Sequence, residues 1–289
     1  MFSDTVAKFR QGYAYYLGVM LLAILGGVLV SWLFKLISPA DPTLEFLMNI
    51  DQNQLLDKEP AEMGELFQQF IQARSENLSS TWYISLLASI LNAFISLITT
   101  RSIFQKLNFP EMRIGDSALF HTNPLKIITL PIKSFFANLI GILVMILFVF
   151  AGGFGLFYLA SQNNMFSIFS AIAFLLILLA VSVFLTPINP LIAYDVDGRY
   201  NFWTTFTKSL SIGHKYFWRI VKTLVVTFLL LVISIGLFTF VIFYLSSQHS
   251  IVIGGLLALV FLLFLLLWLA PFVQLYLINT LNTIFHKEY

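Results

Sequence analysis

Long apolar stretches separated by short polar ones set the rhythm of this sequence. A helix rises about 1.5 Å per residue, and the hydrocarbon core of a bilayer is about 30 Å thick, so about 20 apolar residues cross it. Six stretches meet that length: residues 15–37, 82–103, 135–158, 166–191, 220–245 and 251–277. The last four carry almost no charge. The second is the most polar, with Ser85, Ser89, Asn92 and Ser96 three to four residues apart. Such spacing draws one stripe along a helix, and a polar stripe in lipid turns toward other helices. Strands of a membrane barrel would alternate in polarity over about ten residues; no such alternation occurs.

The gaps at 161–165 and 246–250 are five residues each, which makes the flanking spans antiparallel neighbours. The two hairpins resemble each other. Phe157-Tyr158-Leu159-Ala160-Ser161-Gln162 and Phe243-Tyr244-Leu245-Ser246-Ser247-Gln248 agree at five of six positions, 86 residues apart. Leu185-Thr186-Pro187 with Leu191 parallels Leu269-Ala270-Pro271 with Leu275. The glycines of Gly152-Gly153-Phe154-Gly155 fall within a span and suit helix contact or bending rather than phosphate binding.

Ahead of the last hairpin, Phe202, Trp203, Phe206, Leu210 and Phe217 recur at mostly helical spacing, with Lys208 and Ser209 opposed. That predicts a helix lying in the interface with its aromatic face toward lipid. Residues 2–16 are similar, as are residues 116–136, although Pro124 and Pro131 should break the latter. The predicted fold is all-α: a polytopic membrane protein whose six transmembrane helices form three repeated two-helix hairpins with cytoplasmic interfacial helices. The units are 1–104, 105–191 and 192–289, the first carrying an outer amphipathic insertion at 38–81. Mitochondrial carriers also repeat three hairpins, but their Pro-x-acid-x-x-base signature is missing after the odd spans.

Composition changes the picture by exclusion. Charged residues make up 10% of the chain, against about 25% in a soluble domain. A soluble enzyme, a nucleic-acid binder and a disordered scaffold are excluded. Charge distribution then orients the chain. Lys8, Arg10, Arg101, Lys106, Arg113, Lys126, Lys133, Arg199, Lys208, Lys215, Arg219, Lys222 and Lys287 fall on one side; Lys35, Lys58 and Arg74 fall on the other. The positive-inside rule places both termini in the cytoplasm. The first stretch is too long for the apolar part of a signal peptide, and its nearest cleavage-like triplet, Ser38-Pro39-Ala40, is unconvincing, so it is read as an uncleaved span. The sequence contains no cysteine, so disulfides and thiol chemistry are excluded.

The stretch Asp195-Val196-Asp197-Gly198, then Lys208-Ser209, then Gly213-His214-Lys215-Tyr216-Phe217-Trp218-Arg219 before an apolar span has a recognisable shape. It resembles a bacterial polytopic family that includes YciC-like proteins, and it is similar to the membrane domain attached to some glycerophosphodiester phosphodiesterases. The likeness covers residues 185–245; elsewhere it extends to span count. It implies a bacterial, multi-pass membrane domain in the cytoplasmic membrane, here without the catalytic phosphodiesterase domain.

Candidate chemistry is sparse. Asp195 and Asp197 could hold Mg²⁺ beside a helix end, as in lipid phosphotransferases. The further aspartates such enzymes need are missing downstream, and Asp and Gly also make a turn and a helix cap. His121, His214, His249 and His286 are too scattered to be metal ligands. No catalytic, cofactor or metal set is predicted. Span centres hold no ionisable residue; Asn92, Asn138 and Gln274 are their main polar groups, suited to interhelical hydrogen bonds. Lys208, Lys215, Arg219 and Lys222 are candidates for lipid-headgroup contact, or for topology and anchoring alone.

The insertion 38–81 carries eight of the 14 acidic residues. Pro60 suits a first helical position, and Met63, Leu66, Phe67, Phe70 and Ile71 follow with helical periodicity over about 15 residues. Leu44, Leu47, Met48 and Leu55 could form a partner helix. This insertion either caps the bundle or docks another membrane or envelope protein. The leading functional expectation is a non-enzymatic bacterial membrane protein in envelope or lipid homeostasis, or a subunit of a membrane complex, with lipids as partners and no nucleic acid. A permease subunit or lipid translocator, and a lipid-modifying enzyme using Asp195 and Asp197, are the alternatives.

Overall fold

A computed structural model describes residues 1–37, 60–114, 124–160, 164–195, 200–248 and 251–288. Among these the chain is helical and contains no strand. The helices are α1 (Phe2–Ile37), α2 (Pro60–Asn108), α3 (Pro124–Ala160), α4 (Asn164–Leu185), α5 (Ile188–Tyr194), α6 (Phe202–Lys215), α7 (Phe217–Gln248), α8 (Ile251–Phe264) and α9 (Ala270–Glu288), with a π-turn at Leu265–Leu269. Six helical stretches are long and apolar enough to cross a membrane: Phe2–Ile37, Trp82–Asn108, Thr129–Phe150, Ile172–Tyr194, Phe217–Tyr244 and Gly254–Glu288.

Two expected boundaries are absent. The amphipathic segment after Pro60 does not stop before the second span; α2 runs unbroken for 49 residues. Pro131 does not break α3 either, and lies inside a helix of 37 residues that starts at Pro124. One lost N–H is a small defect in so long a ladder, and membrane helices tolerate it. The N-terminal amphipathic segment is likewise continuous with the first span. Gly12, at φ −109° and ψ 16°, marks the kink between them. A Cβ there would stand 2.7 Å from the Tyr16 ring.

The chain divides into two compact units, Met1–Ile24 with Ala93–Tyr289, and Leu25–Asn92. In the smaller unit, Gly27 of α1 faces Asn92 of α2. Within the larger unit α3 packs on α4 and α7 on α8, as the short connections require. α6 packs against α4 and α5, and α9 against α7. The core gathers Ile103, Phe104, Leu191, Ile192, Ile212, Ile220, Leu275, Leu281 and Phe285, all almost fully buried. Leu185, Ile142, Phe228, Leu256 and many other apolar residues remain uncovered or partly covered on the outside, the arrangement expected of a protein solvated by lipid.

The two matching prolines act differently. Around Pro187, α4 ends at Leu185 and the short α5 begins at Ile188 after two intervening residues. At Pro271 the helix continues, because the π-turn widens it and the Ala270 N–H reaches back to the Leu265 carbonyl. Proline removes a donor and crowds the carbonyl four residues earlier. Hydroxyl groups serve the carbonyls near each defect. Ser209 Oγ donates to the Phe184 carbonyl at 2.9 Å. Tyr13 Oη donates to the Leu267 carbonyl at 3.1 Å.

Candidate functional site

The helix expected ahead of the last hairpin is present as α6, but its faces differ from the expected pair. Asn201 is its N-cap and accepts the Thr204 N–H at 2.8 Å. Trp203 is 68% exposed and Leu210 is 38% exposed, whereas Phe202, Phe206 and Phe217 pack half-buried against the core, so the aromatic-apolar set is split between the outside and the bundle. Ser209 is not opposed to the bundle; it is fully buried in it, with Thr205, Ile212 and Gly213. Thr205, Ser209 and Gly213 form a small-residue stripe at four-residue spacing that lets α6 approach α4 closely. A Cβ at Gly213 would lie 2.7 Å from Phe184 Cδ1 and 3.0 Å from its Cα.

The four expected headgroup residues fall into two groups. Lys208 and Lys215 both pair with Glu288 near the C-terminal end of α9, at 3.4 Å and 2.5 Å. The Tyr216 hydroxyl donates to the same carboxylate at 2.9 Å. The hydrogen bond and charge of Glu288 raise the Lys215 ammonium above the ordinary lysine range. Burial, then the Glu288 hydrogen bond, raises the Tyr216 hydroxyl as well.

Arg219 and Lys222 are arranged otherwise. They sit one turn apart at the start of α7 and line one end of a groove of about 510 Å³. Neither has an acidic partner among the described residues. Val226, Leu229, Leu230 and Ile233 continue the same face of α7, while Phe2 and Tyr276 supply the other wall. Arg219 reaches the Met1 sulfur at 3.3 Å. From Lys222 to Ile233 the helix axis advances about 16 Å, close to half the hydrocarbon thickness. The groove is therefore cationic at one end and apolar for the length of one bilayer leaflet.

Beside it lies a polar network that sequence periodicity does not reveal. Asn279 of α9 is 1% exposed. Its amide donates to Asp4 Oδ2 at 3.1 Å and to Thr5 Oγ1 at 2.9 Å, and it accepts from Lys8 Nζ at 3.1 Å. Thr223 of α7 donates to Thr280 Oγ1 at 3.2 Å. These bonds join the first turns of α1 to α9, and α9 to α7, and so hold the walls of the groove.

Asp195 sits at the C-terminal end of α5. It is buried, it caps α5, and its carboxylate accepts the Tyr200 N–H at 3.0 Å. Lys133 donates to the Tyr200 carbonyl at 2.7 Å. The N-cap role falls to Asn201, and Asp197 lies outside the described residues. Of the amides, Asn138 accepts a hydrogen bond from Asn189, whose own oxygen accepts from Ser134 Oγ at 2.9 Å. Gln274 Oε1 is buried, with no hydrogen-bond partner among the described residues. His286 bonds to Asn108 at 3.0 Å, while His121 and His249 lie outside the described residues. Among the described residues no group of His, Cys, Asp or Glu could hold a metal ion.

On α2, Phe70 is half-buried and Ile71 is 50% exposed. Met63, Leu66 and Phe67 lie on the same helix, but their side chains fall outside the described ones, as do Leu44, Leu47, Met48 and Leu55 altogether.

The fold and its lipid-facing surface make the chain a multi-pass helical membrane protein. Comparison with protein-family models, with curated proteins and with solved structures gives no match.

Proposed function

We propose that this chain is a non-enzymatic protein of the bacterial cytoplasmic membrane that binds anionic phospholipid and acts in envelope or lipid homeostasis, or as a subunit of a membrane complex. The observation that carries the reading is the α7 groove, with Arg219 and Lys222 at one end and an apolar floor of leaflet length. A phosphate held by the two cations would leave an acyl chain lying along Val226, Leu229 and Ile233. The excess of basic residues on one side supports placing that end of the groove, and both termini, in the cytoplasm. The resemblance to YciC-like membrane domains supports the bacterial assignment and the three-hairpin plan.

The test uses the full chain in nanodiscs of mixed phosphatidylglycerol and phosphatidylethanolamine, with lipid retention read by native mass spectrometry. Each basic residue near an anionic surface contributes about 1 kcal/mol, so replacing both Arg219 and Lys222 with Ala should weaken phosphatidylglycerol retention about tenfold or more. Equal retention of the two lipids by the unsubstituted protein would overturn the reading.

A further inference from the structure

A second cleft, about 380 Å³ in volume, opens on the opposite hairpin. One wall is a stripe of α3 that includes Gly141, Ile142, Met145 and Val149; Leu185 and Ile188 face it. Among the described residues its polar lining is the amide pair Asn138 and Asn189. That pair spends one N–H of Asn189 on Asn138 Oδ1, and Ser134 satisfies Asn189 Oδ1. The Asn138 amide nitrogen has no partner among the described residues. It is half-buried at the head of an apolar cleft. A donor so placed in hydrocarbon costs several kcal/mol unless something accepts from it.

The depth identifies the acceptor. Lys133 is the last charge on α3, and Asn138 follows five residues later, about 7.5 Å along the axis. The amide therefore stands just inside the boundary between headgroups and hydrocarbon, the level of the ester carbonyls of a glycerolipid. From Asn138 to Phe150 the stripe runs about 18 Å, somewhat more than one leaflet of hydrocarbon. The backbone carbonyls of a partner helix are already bonded within it and offer the amide no free acceptor. Among the described residues no cation lines the cleft; Lys133 donates to the Tyr200 carbonyl and lies in the field of Asp195.

We infer that this cleft binds a glycerolipid through one acyl chain, with Asn138 donating to the ester carbonyl, and that it does so without regard to headgroup charge. It differs in kind from the α7 groove, where cations select the headgroup.

The experiment places the full chain in nanodiscs with phosphatidylethanolamine or phosphatidylglycerol bearing a diazirine on one acyl chain. After photolysis, labelling is mapped by peptide mass spectrometry. Residues 137–150 should be labelled well above residues 255–263, a lipid-exposed stretch of α8 that lines neither cleft, with either lipid and at about 0.5 M salt. Asn138→Leu should lower that labelling about fivefold, the worth of one hydrogen bond. Gly141→Phe, which fills the cleft and leaves both amides intact, should abolish the preference. Even labelling of the two segments would overturn the inference. So would labelling by phosphatidylglycerol alone, which signals headgroup recognition, or a crosslink at 137–150 to another polypeptide.

Discussion

The Tyr13 hydroxyl donates to the Leu267 carbonyl, 3.1 Å away and four residues before Pro271. It is the carbonyl that an α-helical N–H at position 271 would have used. The bond links the N-terminal segment to the π-turn of the last span. Tyr13→Phe should therefore destabilise the protein by about 0.5–1.5 kcal/mol. Hydrogen exchange should quicken around residues 267–273 and stay unchanged in α3. An unaltered exchange pattern would show that the turn does not depend on the tyrosine.

α6 should be sensitive to a single methyl group. Gly213→Ala places a Cβ against the Phe184 backbone, where relief requires the helices to separate. Overpacking of this sort costs about 1–3 kcal/mol. A thermal melt in detergent should show the loss, and Ser209→Ala should show a smaller one from the freed Phe184 carbonyl. Ala at His214, the next residue and exposed, is the control.

The C-terminal tether responds to pH in a direction set by Lys215. Its folded value is raised by Glu288, so its contribution is complete below the ordinary lysine value of about 10.4 and is lost as pH climbs through the raised value. Amide exchange over residues 280–288 should stay slow at neutral pH and quicken at strongly alkaline pH. In Glu288→Gln the tail should already be loose at neutral pH, and the alkaline step should shrink.

The basic residues of this surface should not be equivalent. Lys208 and Lys215 are engaged by Glu288, whereas Arg219 and Lys222 face the groove. Ala at the first pair should leave phosphatidylglycerol retention within about twofold, since Lys208 and Lys215 do not line the groove. A loss as large as that of the second pair would show that all four act as one patch.

Orientation can be read by accessibility, because the native chain offers no competing thiol. A cysteine introduced at Glu65 should react with an impermeant reagent from outside the cell, and one at Lys287 only after the membrane is opened. The reverse pattern would invert the topology.

The spans were legible in the sequence because lipid imposes a length and a polarity that few other environments require. Helix ends were less so. Neither the continuity of α2 through residues 72–81 nor the passage of α3 through Pro131 follows from local composition, since each depends on how much helix lies on either side. Ser209 is the instructive residue. Its polarity suggested water, yet it is buried because a carbonyl 25 residues earlier lacks a partner. A backbone acceptor leaves no mark in residue type. The same holds for Asn279, whose three partners come from the far end of the chain. Lys208 and Lys215 looked like their neighbours until Glu288 was brought beside them.

The length of α2 has a consequence for any partner of its acidic end. Trp82 and Tyr83, both exposed, mark where its apolar part begins. Glu65 stands 17 residues before Trp82, about 25 Å along the axis. That is about three screening lengths at physiological ionic strength. The backbone at that position is electrostatically remote from the headgroups. A molecule recruited there would be indifferent to the charge of the lipid below, and the reach of the helix would fix its height above the membrane.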